Sequence, residues 1–124
     1  MKQEVEKHIR NAEKTLQEME HLTAGGFHKD VVKRAYIAML SAATAALLAR
    51  DFKSSVRQTI MSDFKDAFVK TGLIDEKFYK YFCQAFGSRK ASDDSSMASP
   101  AYRAAQTYLI RTREFVAACR TLCD

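Results

Sequence analysis

The 124-residue sequence predicts an all-α fold: an antiparallel bundle of about five helices, with a four-helix up-and-down core and one short extra helix. Three observations lead there. One proline and 4 glycines leave almost nothing for the many tight turns that a β-sandwich or barrel needs. Hydrophobic residues make up 47% of the chain and include 8 Phe and 5 Tyr, which supplies a core and argues against disorder. Apolar residues recur at spacings of three and four in segment after segment, with no strand-like alternation. The length suits one domain, residues 1–124, and no linker divides it.

The elements follow in order. Val5, Ile9, Ala12, Leu16, Met19 and Leu22 form the seam of a first amphipathic helix. It stops at Ala24-Gly25-Gly26, where glycine can adopt the left-handed cap. A second helix runs from about His28 to Arg50, with Val31, Ala35, Ala38 or Met39, Ala42, Ala45 or Ala46 and Ala49 at helical spacing. Its stretch Ala42 to Leu48 is apolar almost all round, the mark of a central helix, and alanine is the strongest helix former. A third helix, about Ser55 to Lys70, carries Ile60, Phe64 and Phe68 and ends at Thr71-Gly72. Asp75 caps a fourth, Glu76 to about Arg89, whose buried stripe is Phe78, Phe82, Ala85 and Phe86. Ala91 to Ser99 reads as a polar loop. Ser99 as N-cap and Pro100 in the first turn start the last helix, which continues to about Thr121. Its inward residues are Ala101, Ala105, Tyr108, Leu109, Thr112, Phe115, Val116 and Cys119.

The charge is mildly basic, with 20 Lys and Arg against 15 Asp and Glu and a pI near 9.2. Its distribution is uneven. Residues 1–27 hold 4 basic and 5 acidic side chains, whereas residues 28–57 hold 6 and 2. The excess rests largely on Lys29, Lys33, Arg34, Arg50, Lys53 and Arg57. Such a patch permits contact with an anion, and it equally fits a solvated helix face. Cys83, Cys119 and Cys123 are an odd set, the start of the chain has no signal-peptide pattern, and no apolar run approaches the ~18 residues of a membrane span. The expectation is a cytoplasmic protein with reduced thiols and no membrane contact. Cys119 and Cys123 read as small hydrophobes, and no metal or cofactor is expected.

Standard catalytic patterns are missing. The sequence has no phosphate-binding glycine loop, no dinucleotide fingerprint, no HExxH and no CxxC. His8, His21 and His28 all lie near the start and read as surface or helix-end residues. One cluster stands out. Arg57, Arg89 and Lys90 are basic, and Asp93 and Asp94 follow. Arg89 and Asp93 are four apart, where a helix would put them on one face. A guanidinium steadied by a carboxylate makes a phosphate receptor, and the same spacing makes a plain surface ion pair.

Four segments carry a family resemblance. Lys33-Arg34-Ala35-Tyr36-Ile37-Ala38-Met39-Leu40 resembles the RAYYAMF signature on the second helix of HEPN domains. Phe68-Val69-Lys70-Thr71-Gly72 resembles the FVKTG turn of one branch of that family. Arg89-Lys90-Ala91-Ser92-Asp93 resembles the RxxAD segment of the same branch, and Ala104-Ala105 through Phe115-Val116 its closing helix. Together they span nearly the whole chain in order. The resemblance implies a helical bundle that pairs as a homodimer. It implies a metal-independent endoribonuclease, a partner of a minimal nucleotidyltransferase in a toxin–antitoxin pair, or a nucleotide-binding module. In the nuclease branch an arginine steadies the phosphate while a histidine a few residues on moves protons.

This sequence departs at that point. Arg89 stands at the arginine position, but no histidine follows it, and Asp94 replaces the neighbouring tyrosine. Arg57 stands near the place where the branch often has a histidine between its second and third helices. The leading expectation is therefore a module that binds a nucleotide or RNA, or a partner protein, without nuclease chemistry. Arg89 contacts phosphate, Asp93 orients it, and Arg34, Lys33, Lys53 and Arg57 are further candidates for the same anion. The alternatives are a metal-independent ribonuclease toxin with a displaced catalytic set, and a helical dimer that only scaffolds a partner through Tyr79, Tyr81 and Tyr102. Tyr36 is expected to be half-buried, with its hydroxyl on a neighbour.

Overall fold

The computed structural model describes residues 2–52, 57–89 and 98–124, and side chains within 3–52, 59–89 and 102–124. The described residues form α1 (Lys2–Ala24), α2 (His28–Ala49), α3 (Arg57–Phe64), α4 (Glu76–Ser88) and α5 (Ala98–Cys123), with a π-helical segment Lys65–Val69 running on from α3. There is no strand among them. The long helices α1, α2, α4 and α5 make a four-helix bundle, and α3 with its π-helical continuation is the short fifth member.

Side-chain pairs set the directions. Glu13 pairs with Arg120 and Glu20 with Arg113, so α1 and α5 are antiparallel. Lys77 pairs with Glu114, and Tyr108 reaches Gln84, so α4 and α5 are antiparallel too. His28 and Tyr102 meet edge to face at 5.0 Å, which brings the starts of α2 and α5 together. One end of the bundle therefore gathers the start of α2, the start of α5 and the close of α1 and α4.

Three helix ends share one hydrogen-bond pattern. After α1, Phe27 N–H donates to the Leu22 carbonyl and Gly26 N–H to Thr23, with Gly26 at φ 82°. After the π-helical segment, Leu73 donates to Phe68 and Gly72 to Val69, with Gly72 at φ 76°. These are Schellman caps, and glycine takes the left-handed position because it has no Cβ to clash. The end of α2 makes the same cap without glycine. Phe52 donates to Leu47 and Asp51 to Leu48, and Asp51 itself sits at φ 65°. Asp tolerates that region better than most residues.

The expected core formed with few changes. Val31, Ala35, Ala38, Met39, Ala42, Ala43, Ala45, Ala46 and Leu47 of α2 are buried, and their small size lets α1 and α5 approach closely. Phe64, Phe68, Phe82 and Phe115 are fully buried. Ring centres lie 5.4 Å apart for Phe64 and Phe68 and 5.3 Å for Phe64 and Phe115. Edge-to-face and stacked pairs at these distances add to what burial alone contributes. By length and composition α2 is apolar enough to cross a membrane, yet 61% of its apolar window is buried inside the bundle, as for a core helix. The sequence reading asked for an unbroken apolar run, which Ser41 and Thr44 interrupt.

Three local expectations change. The third helix is not regular throughout, because Lys70 N–H bonds the Lys65 carbonyl five residues back and opens a π-turn. The last helix starts at Ala98, so Ser99 lies inside its first turn instead of capping it. Pro100 is tolerated there because first-turn N–H groups have no partner in the helix. Phe86 leaves the buried stripe, with 41% of it exposed. It sits in the last turn of α4, beyond the reach of the α2–α5 core, and meets Tyr36 instead.

Candidate functional site around Arg89

Asp75 starts α4 as expected, its carboxylate accepting the Lys77 N–H at 2.8 Å. The other end of α4 is pinned to α5. The Tyr108 hydroxyl donates to the Gln84 carbonyl, and Ser88 shares a hydrogen bond with the same hydroxyl. Arg89 follows as the C-cap residue, so its backbone rests on a fixed support.

Neutral groups hold the Arg89 side chain. Its Nη1 donates to the Phe86 carbonyl, one of the carbonyls left free at the end of α4. Its guanidinium carbon lies 3.8 Å from the centre of the Phe86 ring and 6.0 Å from that of Tyr36. Phe86 and Tyr36 meet edge to face at 5.4 Å, and Tyr36 reaches Phe82 at 6.0 Å. The cation is favoured by the negative end of the helix and by the ring faces. Among the described residues no carboxylate pairs with it. A half-exposed guanidinium so placed keeps most of its fork of N–H donors for an anion.

The other candidates distribute differently. Arg34 pairs with Glu18 of α1 at 3.3 Å, on the side of α2 turned away from Tyr36, so the structure does not bring it to Arg89. Lys33 stands one turn before Tyr36 on the same side of α2 and is half-buried. Arg57 is the first residue of α3, and its side chain, like Lys53, Lys90, Asp93 and Asp94, lies outside the described residues. The contacts of Tyr36 are those of its ring.

Sequence reasoning missed Phe86 as a site residue by placing it in the core. The signal was available: Phe86 and Arg89 are three apart at the end of a helix, where side chains touch. A second stacked cation also escaped it. Arg111 lies 5.0 Å from the centre of the Tyr81 ring and is hydrogen-bonded to Gln84. Tyr79 and Tyr81 are half-buried against the core instead of exposed, and Tyr102 is 47% exposed. The Cys83 hydrogen bond, and then burial, push the Tyr79 phenol up. Burial pushes the Cys119 thiol well up and the Cys123 thiol up, which keeps both protonated and unreactive.

The chain was compared with known proteins. The HEPN domain model matches residues 5–122. A protein of Methanocaldococcus jannaschii named "Putative toxin MJ0142" is 30% identical over 92 residues, which is 74% of this chain and 63% of that protein. UPF0332 protein PH1297 of Pyrococcus horikoshii is 34% identical over 79 residues, 64% of this chain and 56% of that protein. The chain thus matches less than two thirds of the length of either relative. The family model spans nearly all five helices, including the Tyr36 and Arg89 segments, and the chain belongs to the HEPN family.

Proposed function

We propose that residues 1–124 act as one HEPN module that binds a nucleotide or RNA by its phosphate at Arg89 and works through a partner protein. The observation that supports this reading is the setting of Arg89: a half-exposed guanidinium held by a carbonyl and two rings, with no carboxylate partner among the described residues. Its charge is oriented but not neutralised, which is what a phosphate receptor requires. Lys33, on the Tyr36 side of α2, is the nearest further cation in sequence position, and Lys53, Arg57 and the orienting Asp93 remain part of the proposal.

The relative named as a toxin suggests the setting. The module would act in the cytoplasm as the toxin-like member of a pair, with a minimal nucleotidyltransferase as partner. It would form a homodimer through the open side of α2, where Ile37 is 49% exposed beside Tyr36. Without a histidine after Arg89, the reading assigns binding and no cleavage.

A fluorescently labelled single-stranded RNA titrated with the protein tests the site. Arg89→Ala raises Kd about tenfold or more, as for loss of a charge-assisted hydrogen bond. Arg10→Ala leaves it unchanged, because Arg10 pairs with Glu6 on exposed α1. Superimposable curves for wild type and Arg89→Ala would remove the proposal.

A further inference from the structure

The three separations around Arg89 define more than a charge. With 3.8 Å from guanidinium to Phe86, 5.4 Å from Phe86 to Tyr36 and 6.0 Å from guanidinium to Tyr36, the triangle is close to right-angled at Phe86. Tyr36 therefore stands beside the Phe86–Arg89 pair and does not lie on top of it. At 3.8 Å the guanidinium is in stacking contact with the ring, and it covers the ring on that side. Its opposite side carries no partner among the described residues.

We infer that the outer face of the Arg89 guanidinium is a stacking platform for one unpaired nucleobase, giving a three-layer sandwich of Phe86, Arg89 and base. The inference rests on the proposed phosphate site and specifies its ligand: a single-stranded nucleic acid or free nucleotide, not a duplex. The chemistry follows from shape. A guanidinium is planar and weakly hydrated, so it stacks on π-systems while the N–H groups on its rim still reach a phosphate. Phe86 lies flat beneath and is the positioning residue for the plane. The Nη1 bond to the Phe86 carbonyl prevents the plane from turning edge-on. The pinning of Ser88 and Gln84 to Tyr108 keeps the whole stack at a fixed height on α5. A base within a duplex is already stacked on both faces and cannot enter, whereas every unpaired base has a free π-face.

Charge and plane can be separated by substitution. Arg89→Lys keeps the charge and loses the plane. Phe86→Leu keeps bulk and apolarity and loses the ring beneath. Both positions are at least partly exposed, so each variant should keep the wild-type melting temperature, which is measured first. Binding is then compared for a single-stranded RNA, the same sequence as a duplex, and inorganic tripolyphosphate. A 2-aminopurine in the single strand reports stacking by quenching. The expected result is a preference of about tenfold for the single strand over both other ligands, with quenching. Arg89→Lys and Phe86→Leu should each abolish most of that preference and the quenching, and Arg89→Lys should still bind tripolyphosphate. Wild-type strand binding by Arg89→Lys, or equal affinity for strand and duplex, would overturn the stacking inference while leaving the phosphate site standing. Unchanged binding of all three ligands by Arg89→Ala would instead remove the phosphate site, and the platform with it.

Discussion

Cations meet different partners on the two seams of α5. Along α1 they meet carboxylates. Arg113 pairs with Glu20 at 2.7 Å and Arg120 with Glu13 at 3.1 Å, and Arg34 of α2 pairs with Glu18 at 3.3 Å. Along α4 they lie against rings: Arg89 on Phe86, Arg111 on Tyr81 and Lys77 over Phe78 at 5.2 Å, with Lys65 over Tyr79 at 5.0 Å on the side of α3. Lys77 also reaches Glu114 at 3.7 Å, so it belongs partly to both patterns. The difference matters more than the net charge. A cation on a carboxylate presents little field to an approaching anion, whereas one on a ring keeps its full charge. The anion-binding face is thus set by where the glutamates stop.

The comparison can be broken or sharpened by substitution. The largest effect is expected in the aromatic core that supports the α4 side. Phe115→Ala should destabilise by roughly 3–5 kcal/mol in urea unfolding, because Phe115 is fully buried among Phe64, Phe78 and Phe82. A loss below about 1 kcal/mol would mean that the core is loose there. Next comes the contrast between two arginines. Arg89→Ala should lower the slope of log K against log salt for single-stranded RNA by about 0.7, and Arg34→Ala should leave it unchanged. Equal slopes would dissolve the distinction between the seams.

Smaller effects follow. Thr112→Val should raise stability by about 1 kcal/mol, since the Thr112 hydroxyl is buried without a hydrogen-bond partner and the exchange removes that cost. The threonines at 15, 23, 44, 71 and 121 each bond the carbonyl four residues back. A destabilised Thr112→Val in thermal unfolding would show that its hydroxyl has a partner in solution. Gly87→Ala should add about 0.5–1 kcal/mol by helix propensity, since a Cβ there meets nothing within 4 Å. Least of all, Glu20→Gln should cost about 0.2–1 kcal/mol at low salt and nothing measurable at high salt, as exposed ion pairs do.

The fold was legible because the residues that decide it repeat. The seam from Val5 to Leu22, the alanines of α2 and the phenylalanines four apart each state a helix and its inward face. Gly25-Gly26 and Gly72 announced helix ends, and the structure put Gly26 and Gly72 at the left-handed position. The site was legible only at Arg89. The sequence grouped Arg34 with it by charge, yet a helix turns two residues from Arg34 to Tyr36 onto nearly opposite sides, and Glu18 meets Arg34 there. Phe86 was misread because periodicity marks a face and does not say how far along a helix that face stays covered. Asp51 was invisible as a cap, since the residue that usually marks one is glycine.

The π-helical segment carries a consequence for how the sequence can vary. Its bond from Lys70 back to Lys65 spans one residue more than an α-helical turn. Removing a single residue between Lys65 and Val69 would restore the ordinary bond, and everything after it would swing by about 100°. Either Phe68 would leave the core or the Gly72 cap would face the wrong way into α4. Length at this point is therefore as constrained as composition: substitutions at the exposed Asp66 are cheap, but a one-codon deletion beside it is not.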